Sequence, residues 1–365
     1  MSIFNGDVVT EVRGRMGLIT LNRPRALNAL SLGMVRDLTV ALQAWAQDPA
    51  VLAVAIRGSN KEGVFGAFCA GGDIRFLHQA GSTGDPDLEA FFTEEYALNH
   101  LIHAYPKPYI AFMDGIVMGG GMGISQGARL RVLSERSRLA MPETAIGLFP
   151  DVGGGWFLAQ CPGHVGEWLA LTGHAISAGD AIEWGLGDVF VRAEQWQALV
   201  DDLRQGDQPS AEHVVATVME RADLAPLSAP KATMERIDRH FGQPTLPAIL
   251  ASLAAVDDDW ARDTRATLLE RSPTMMAVTL ELVRRGRRLG LADDLRLERD
   301  LVHHAFHLRG AARSETVEGV RALAVDKDHA PRWQPASVAE VDAAEVAAFF
   351  VSPWAPAEHP LRDLG

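Results

Sequence analysis

The sequence predicts an α/β fold joined to a mainly helical C-terminal region, and three observations carry that prediction. Short apolar runs that read as buried strands, Val51 to Ile56 and Tyr109 to Met113, are separated by amphipathic helical stretches, the pattern of strands joined by crossover connections. Two glycine-rich turns, Phe68-Cys69-Ala70-Gly71-Gly72-Asp73 and Gly119-Gly120-Gly121-Met122-Gly123, each follow a strand signal and precede a helical one. Repeats of that kind put functional loops at the carboxyl ends of the strands. Beyond about residue 195 the strand signals fade and helical ones take over. The chain therefore divides into a core over 1–199, a helical region over 200–335 and a tail over 336–365.

Val8 to Leu21 alternates imperfectly around Arg13-Gly14-Arg15-Met16-Gly17 and reads as a hairpin, broken by Asn22-Arg23-Pro24. Ser31 is placed to cap a helix reaching about Trp45, with Val35, Leu38, Leu42 and Trp45 on one face. After the Val51 strand, a loop over 58–72 ends in the first glycine turn. Leu88 to Ala104 reads as a helix stopped by Pro106 and Pro108. Weaker helical patterns run from Gly153 to Gln160, Val165 to Leu171 and Ala178 to Trp184. In the C-terminal region, Ser210 to Thr217, Lys231 to His240, Leu246 to Val256 and Asp258 to Leu269 are helical or interrupted-helical. Ser272-Pro273-Thr274 opens a longer helix to about Arg285, and Leu291 to Phe306 adds another. The tail, rich in Ala, Pro, Val and Glu, is compatible with an ordered arm or with partial disorder.

At 365 residues, with 47% hydrophobic and 22% charged side chains, the chain can fill a large core. A formal net charge of −13 argues against a nucleic-acid partner that needs a basic groove. Two local arginine clusters, Arg129/Arg131/Arg136/Arg138 and Arg284/Arg285/Arg287/Arg288, suit either a phosphorylated ligand or a solvated face. No apolar stretch reaches membrane-spanning length and the N-terminus lacks a signal-peptide pattern, so a cytoplasmic location without membrane attachment is the expectation. Cys69 and Cys161 give no disulfide framework. Cys69 reads as a small apolar filler behind a tight turn, since no histidine lies near it in sequence. His78, His100, His103, His164, His174, His303 and His304 form no recognised ligand spacing, and no metal site is expected.

The chemistry lies in the centre of the chain. Neither glycine turn has the spacing of a phosphate-binding lysine loop or a dinucleotide fingerprint. As a pair they suit backbone donors for an oxyanion, with Gly72 and Gly120 the chosen positions. Close packing alone is the bland alternative. Downstream, Glu143 and Asp151 are separated by the apolar Ala145-Ile146-Gly147-Leu148-Phe149. Two carboxylates in unequal environments can divide acid–base work. Equally, Asp151 can cap the helix beginning near Gly153 and Glu143 can sit in a surface turn. No Ser-His-Asp order or G-x-S-x-G elbow is present.

These segments resemble the crotonase (enoyl-CoA hydratase/isomerase) superfamily. The resemblance rests on Asn22-Arg23-Pro24 with Leu27-Asn28-Ala29-Leu30, Ala67-Phe68-Cys69-Ala70-Gly71-Gly72-Asp73-Ile74 and Gly119-Gly120-Gly121. The run from Met141 through Gly155 resembles the 3-hydroxyisobutyryl-CoA hydrolase branch. So do Ser272-Pro273-Thr274, Glu318-Gly319-Val320-Arg321-Ala322, Asp326-Lys327-Asp328 and Pro331-Arg332-Trp333, and the likeness covers roughly 8–335. It implies a spiral ββα core, an acyl-CoA substrate and Gly72 and Gly120 as the oxyanion donors. Glu143 falls on the retained catalytic glutamate and Asp151 on the aspartate of the hydrolase branch. The implied substrate contacts are Arg23, Arg25, Ala70, Asp73, Arg75 and Gly119, the arginines as partners for CoA phosphates. No cofactor is implied, since coenzyme A enters as part of the substrate. The sequence departs from typical hydratases at Gly123, where they carry a second catalytic glutamate. The expectation is thioester hydrolysis in valine degradation. The rivals are a hydratase or isomerase using Glu143 alone and a non-catalytic acyl-CoA-binding or assembly protein. Relatives often assemble as trimers, so a homo-oligomer is an open expectation that the helical extension can alter.

Overall fold

The computed structural model describes residues 6–205 and 208–365, so the first residues of the expected N-terminal span lie outside the described part. The chain packs as two compact units, each built from separated stretches. One, the sheet unit, takes the described residues through Gly72 with Ala97–Ala140 and Ala175–Ser228; the other, the helical unit, takes Asp73–Tyr96, Met141–His174 and Ala229–Gly365. Neither coincides with the contiguous spans 1–199 and 200–335 expected from the sequence, because crossover segments leave each unit and return.

The sheet unit holds strands β1 (Val8–Arg13), β2 (Met16–Leu21), β3 (Ala53–Asn60), β4 (Gly63–Val64), β5 (Tyr109–Met113), β6 (Ile116–Met118), β7 (Leu130–Leu133), β8 (Arg138–Ala140) and β9 (Val189–Phe190). The main sheet runs β1-β2-β3-β5-β7-β9, with β4 paired to β3, and β6 pairs with β8 in a second small sheet. Only the β1–β2 hairpin and the β3–β4 pair are antiparallel; β2 to β9 and the β6–β8 pair are parallel. Two successive turns, β5–β6 and β7–β8, each lay one strand in the large sheet and the next in the small one before a helical segment. Met16, Leu18, Ala55, Phe112 and Val132 build the core beneath the large sheet, with Trp196 set edge-on to Phe65 and Phe112 at 5.3 Å from each.

Helix α1 (Leu32–Gln47) starts where the sequence places it, with the Ser31 hydroxyl accepting the Met34 N–H at 3.3 Å and Val35, Leu38, Leu42 and Trp45 buried. The next helices are α2 (Ile74–Thr83), α3 (Asp87–His103), α4 (Gly120–Gln126) and α5 (Gly154–Ala159). Beyond β9 no further strand occurs among the described residues. The helices expected over 272–285 and 291–306 form as Pro273–Gly286 and Leu291–His307. The tail is an ordered arm, with a helix at Ala343–Phe349 that buries Phe349. No helix among the described residues is long and apolar enough to cross a membrane.

Candidate active site

In the sheet unit the two glycine turns meet. Cys69 pairs with Val117, its N–H donating to the Ile116 carbonyl at 3.0 Å and its carbonyl accepting from Met118 at 2.9 Å. A methyl group at Gly71, whose φ is +108°, would lie 3.3 Å from the Met118 carbonyl and 3.6 Å from the Gly120 nitrogen. One at Gly121 would fall 2.4 Å from the Cys69 carbonyl, so a side chain there would push the turns apart. The Leu30 N–H bonds to the Gly71 carbonyl at 2.8 Å in a parallel bridge centred on Gly72, which turns the Gly72 N–H to the opposite side. Gly120 is the first residue of α4, where an N–H has no intrahelical acceptor. Among the described residues no backbone carbonyl accepts from the N–H of Gly72 or Gly120. Two N–H groups without a backbone acceptor, in turns that meet and one of them at a helix N-terminus, suit a developing oxyanion.

Asn28 holds the first turn. Its buried amide donates to the carbonyls of Ser59 (2.8 Å), Phe68 (3.0 Å) and Ala67 (3.2 Å), and its oxygen accepts the Arg23 N–H at 2.9 Å. Leu27 and Asn28 both adopt positive φ to reach this position. Asn28→Ala would remove both amide hydrogens shared by these three carbonyls, so urea unfolding should show a loss on the order of 2 kcal/mol. A loss within a few tenths of a kcal/mol would mean that the turn holds itself.

The expected substrate contacts fare unevenly. Gly119 is buried, with φ of +48°, and caps α4, and Ala70 donates its N–H to the Leu27 carbonyl at 3.0 Å. Arg23 turns inward to the Ala29 carbonyl at 3.1 Å, whereas Arg25 is exposed. Asp73 caps α2, accepting the Phe76 N–H at 3.4 Å, and Arg75 lies exposed in the first turn of that helix. Much of the arginine clusters is engaged within the fold: Arg131 with Asp188, Arg136 with Asp114, Arg284 with the Gln243 and Pro244 carbonyls and Arg287 with Glu167. Cys69 is fully buried, as a filler would be.

In the helical unit, Glu143 and Asp151 are each 6% exposed, which excludes a surface turn for Glu143. Glu143 opens a short 3-10 turn, Glu143–Ile146, whose next residue, Gly147, is held by the Thr316 hydroxyl on its carbonyl at 2.7 Å. The Thr144 carbonyl accepts the Ser272 N–H at 3.1 Å, and the Ser272 hydroxyl donates to Glu315 at 2.7 Å. Ser272-Pro273-Thr274 thus anchors the turn that Glu143 opens. Further along, Arg321 ties Glu318, Asp326 and Asp328 together, which accounts for the distal charged motif. The Glu143 Oε2 has no hydrogen-bond partner. Burial, then the charges of Asp151 and Glu95, push the Glu143 pKa well above the usual carboxylate range.

Asp151 does not cap α5. Its carboxylate accepts the Tyr96 hydroxyl at 2.7 Å. The N–H groups at the start of α5 are taken instead by two buried acids of the Leu291–His307 helix. Glu298 accepts from Gly153 (2.7 Å) and Gly155 (2.9 Å), and Asp294 accepts from Trp156 (2.8 Å). Val152, between Asp151 and this anchored start, has φ of +56°, a strained conformation for a β-branched residue. Burial pushes Asp151 up to about 6, against the Tyr96 hydroxyl bond that lowers it. Glu95, fully buried with Oε1 unpartnered, is pushed up by burial and by the charge of Asp151. Sequence reasoning missed Glu95, Tyr96, Asp294 and Glu298. The available signal was acids on apolar helical stripes: Glu95 falls between Phe91 and Leu98, and Glu298 between Leu295 and Leu301.

Comparison with known proteins adds three findings. The model of the enoyl-CoA hydratase/isomerase family matches residues 16–350. Curated relatives include the mitochondrial 3-hydroxyisobutyryl-CoA hydrolases of Xenopus laevis, 38% identical over 96% of this chain and 90% of that protein, and of Bos taurus, 39% identical over 95% and 89%. Solved structures include a carnitinyl-CoA dehydratase from Mycobacterium thermoresistibile, with a TM-score of 0.86 at 37% identity, covering 95% of this chain and 97% of that one. An enoyl-CoA hydratase from Rhodobacter sphaeroides gives 0.84 at 38% identity, covering 95% and 98%.

Proposed function

The chain belongs to the enoyl-CoA hydratase/isomerase family, and on that premise we propose that it hydrolyses 3-hydroxyisobutyryl-CoA to 3-hydroxyisobutyrate and CoA. The observation that carries the reading is the Glu143 carboxyl, buried and unpartnered at Oε2 beside the charge of Asp151, in a chain with glycine at position 123. A buried carboxylate that nothing solvates is a strong base and nucleophile. Glycine at 123 removes the second carboxylate that water addition in the hydratase manner uses.

The N–H groups of Gly72 and Gly120 take the oxyanion that forms as the thioester carbonyl is attacked, worth on the order of 3 kcal/mol per well-placed donor. Glu143 attacks the carbonyl carbon, the C–S bond breaks, and the CoA thiolate leaves and is protonated. Water then cleaves the mixed anhydride and regenerates the carboxylate. In the direct alternative, Glu143 takes a proton from the attacking water and no anhydride forms; both routes give the same products. Asp151, held by Tyr96, orients the substrate hydroxyl or the water and moves the proton. Arg23, Arg25 and Arg75 are the proposed partners for CoA phosphates, with Ala70, Asp73 and Gly119 lining the acyl end. No dissociable cofactor enters. The mammalian and amphibian relatives are named mitochondrial, so the cytoplasmic location expected for this chain is part of the proposal, as is any homo-oligomer.

A hydratase or dehydratase reading is favoured by the names of the two solved structures, which are as similar in sequence as the hydrolases. The products separate the two readings. Time-resolved thiol release from 3-hydroxyisobutyryl-CoA, with mass analysis of the acyl product, should give free CoA and the hydroxy acid in equal amounts. Intact thioester carrying a dehydrated or rehydrated acyl chain would establish the rival reading. A bound, unchanged ligand would establish the non-catalytic one.

A further inference from the structure

Away from the catalytic carboxylates, α3 and the Leu291–His307 helix bring together Glu89, His303 and His307 in the helical unit. His303 and His307 are four residues apart and so share one helical face, their rings 4.4 Å apart between centroids. His303 Nδ1 lies 3.3 Å and His307 Nε2 2.8 Å from the same oxygen, Glu89 Oε1, and all three atoms lie within 4.8 Å of one another. Tetrahedral bonds of 2.0 to 2.1 Å put ligand atoms about 3.3 Å apart. The two distances from Glu89 Oε1 to the histidine nitrogens already approach that spacing.

The surroundings suit a ligand set. The other Glu89 oxygen is taken by the guanidinium of Arg299, itself almost wholly buried, bonded to the Thr93 hydroxyl at 2.9 Å and stacked on Trp354 at 4.8 Å. A carboxylate oriented through one oxygen offers the other in a fixed direction, as ligating carboxylates with an outer partner do. His307 is 43% exposed, which leaves an open side for entry and for a water as fourth ligand. Two imidazoles and one carboxylate suit zinc or a similar first-row cation rather than calcium or magnesium, which take oxygen donors. The Arg299 charge works against tight binding, since it is a cation beside the ion.

We infer that Glu89, His303 and His307 form a binding site for a divalent transition-metal cation of the zinc class, independent of the thioester chemistry. The ion would clip α3 to the helix whose Asp294 and Glu298 anchor the loop after Asp151.

The test uses the full-length chain without a histidine tag, stripped with EDTA, desalted and titrated with Zn²⁺ by calorimetry, with Co²⁺ absorption as the readout of geometry. One equivalent is expected, with the intense visible bands of tetrahedral cobalt and a rise in unfolding temperature. His303→Gln and His307→Gln should each weaken binding by about tenfold or more, while His213→Gln, a histidine of the sheet unit, leaves it unchanged. Unfolding in EDTA checks that each variant folds; His307 is exposed enough that its variant decides the matter if the other does not. Absence of saturable binding, or stoichiometric binding that survives both substitutions, overturns the site.

Discussion

Glu143→Gln should lower kcat for thioester hydrolysis by about 10³-fold or more and, at the same time, make the protein more stable at neutral pH. Glutamine keeps the size and one carbonyl oxygen of glutamate, so the turn Glu143–Ile146 and its anchors at Thr316 and Ser272 are undisturbed. What is lost is the negative charge and the group proposed as nucleophile or base. Stability moves the other way because burial and the Asp151 charge raise the Glu143 pKa above its unfolded value. A raised carboxyl contributes its full share below the unfolded pKa and loses it as pH rises toward the folded one. The variant has no proton to lose there. Its melting temperature should exceed the parent's at pH 8 and approach it near pH 4, by calorimetry at both values. Activity within tenfold of the parent would remove Glu143 from the chemistry, and equal melting temperatures at pH 8 would mean that burial does not strain the carboxylate.

That opposition between activity and stability explains why the carboxylate environment was only half legible in the sequence. Glu143 and Asp151 stood out as acids flanking an apolar interval, a pattern that left a surface turn and a helix cap equally open. It was the family resemblance that singled them out. The glycine turns were legible for a local reason: Gly119 and Gly71 use conformations that other residues resist, and Gly121 admits no side chain against Cys69. Helices with a continuous apolar stripe, such as Leu32–Gln47, were readable because burial and periodicity agree. The residues that tune the acids were not. Glu95 and Glu298 sit on stripes that read as ordinary amphipathic helix with one charged interruption, and only tertiary packing shows that the interruption is fully buried. Even the bland reading of Asp151 as a cap was sound local reasoning. It failed because acids nearly 150 positions downstream already hold those N–H groups. The contiguous domain division missed the packing for the same reason, since crossover connections carry the chain out of each unit and back.

The Asp151→Asn variant probes the coupling between the two acids, beyond the presence of each. Asparagine retains an oxygen to accept the Tyr96 hydroxyl, so the loop through Val152 to the anchored start of α5 should persist. Loss of proton transfer and orientation should lower kcat by about 10²-fold. The residual activity should also change its pH dependence. The negative charge of Asp151 is among the causes that hold the Glu143 pKa up; removing it makes Glu143 easier to ionise. If the Glu143 carboxylate is the active form, kcat/KM rises with pH as it ionises, and the midpoint of that rise should move to lower pH in the variant. A Tyr96→Phe variant serves as the counterpart. It removes a hydrogen bond that lowers the Asp151 pKa, and so should shift Asp151 above its value of about 6, delaying its ionisation to higher pH while keeping a carboxyl in place. A midpoint unmoved by Asp151→Asn, with kcat reduced, would mean that Asp151 positions water or substrate but does not tune Glu143. A midpoint moved downward with kcat intact would mean the reverse, a purely electrostatic neighbour, and the proton transfer would then have to be sought at Glu95, the other buried acid beside it.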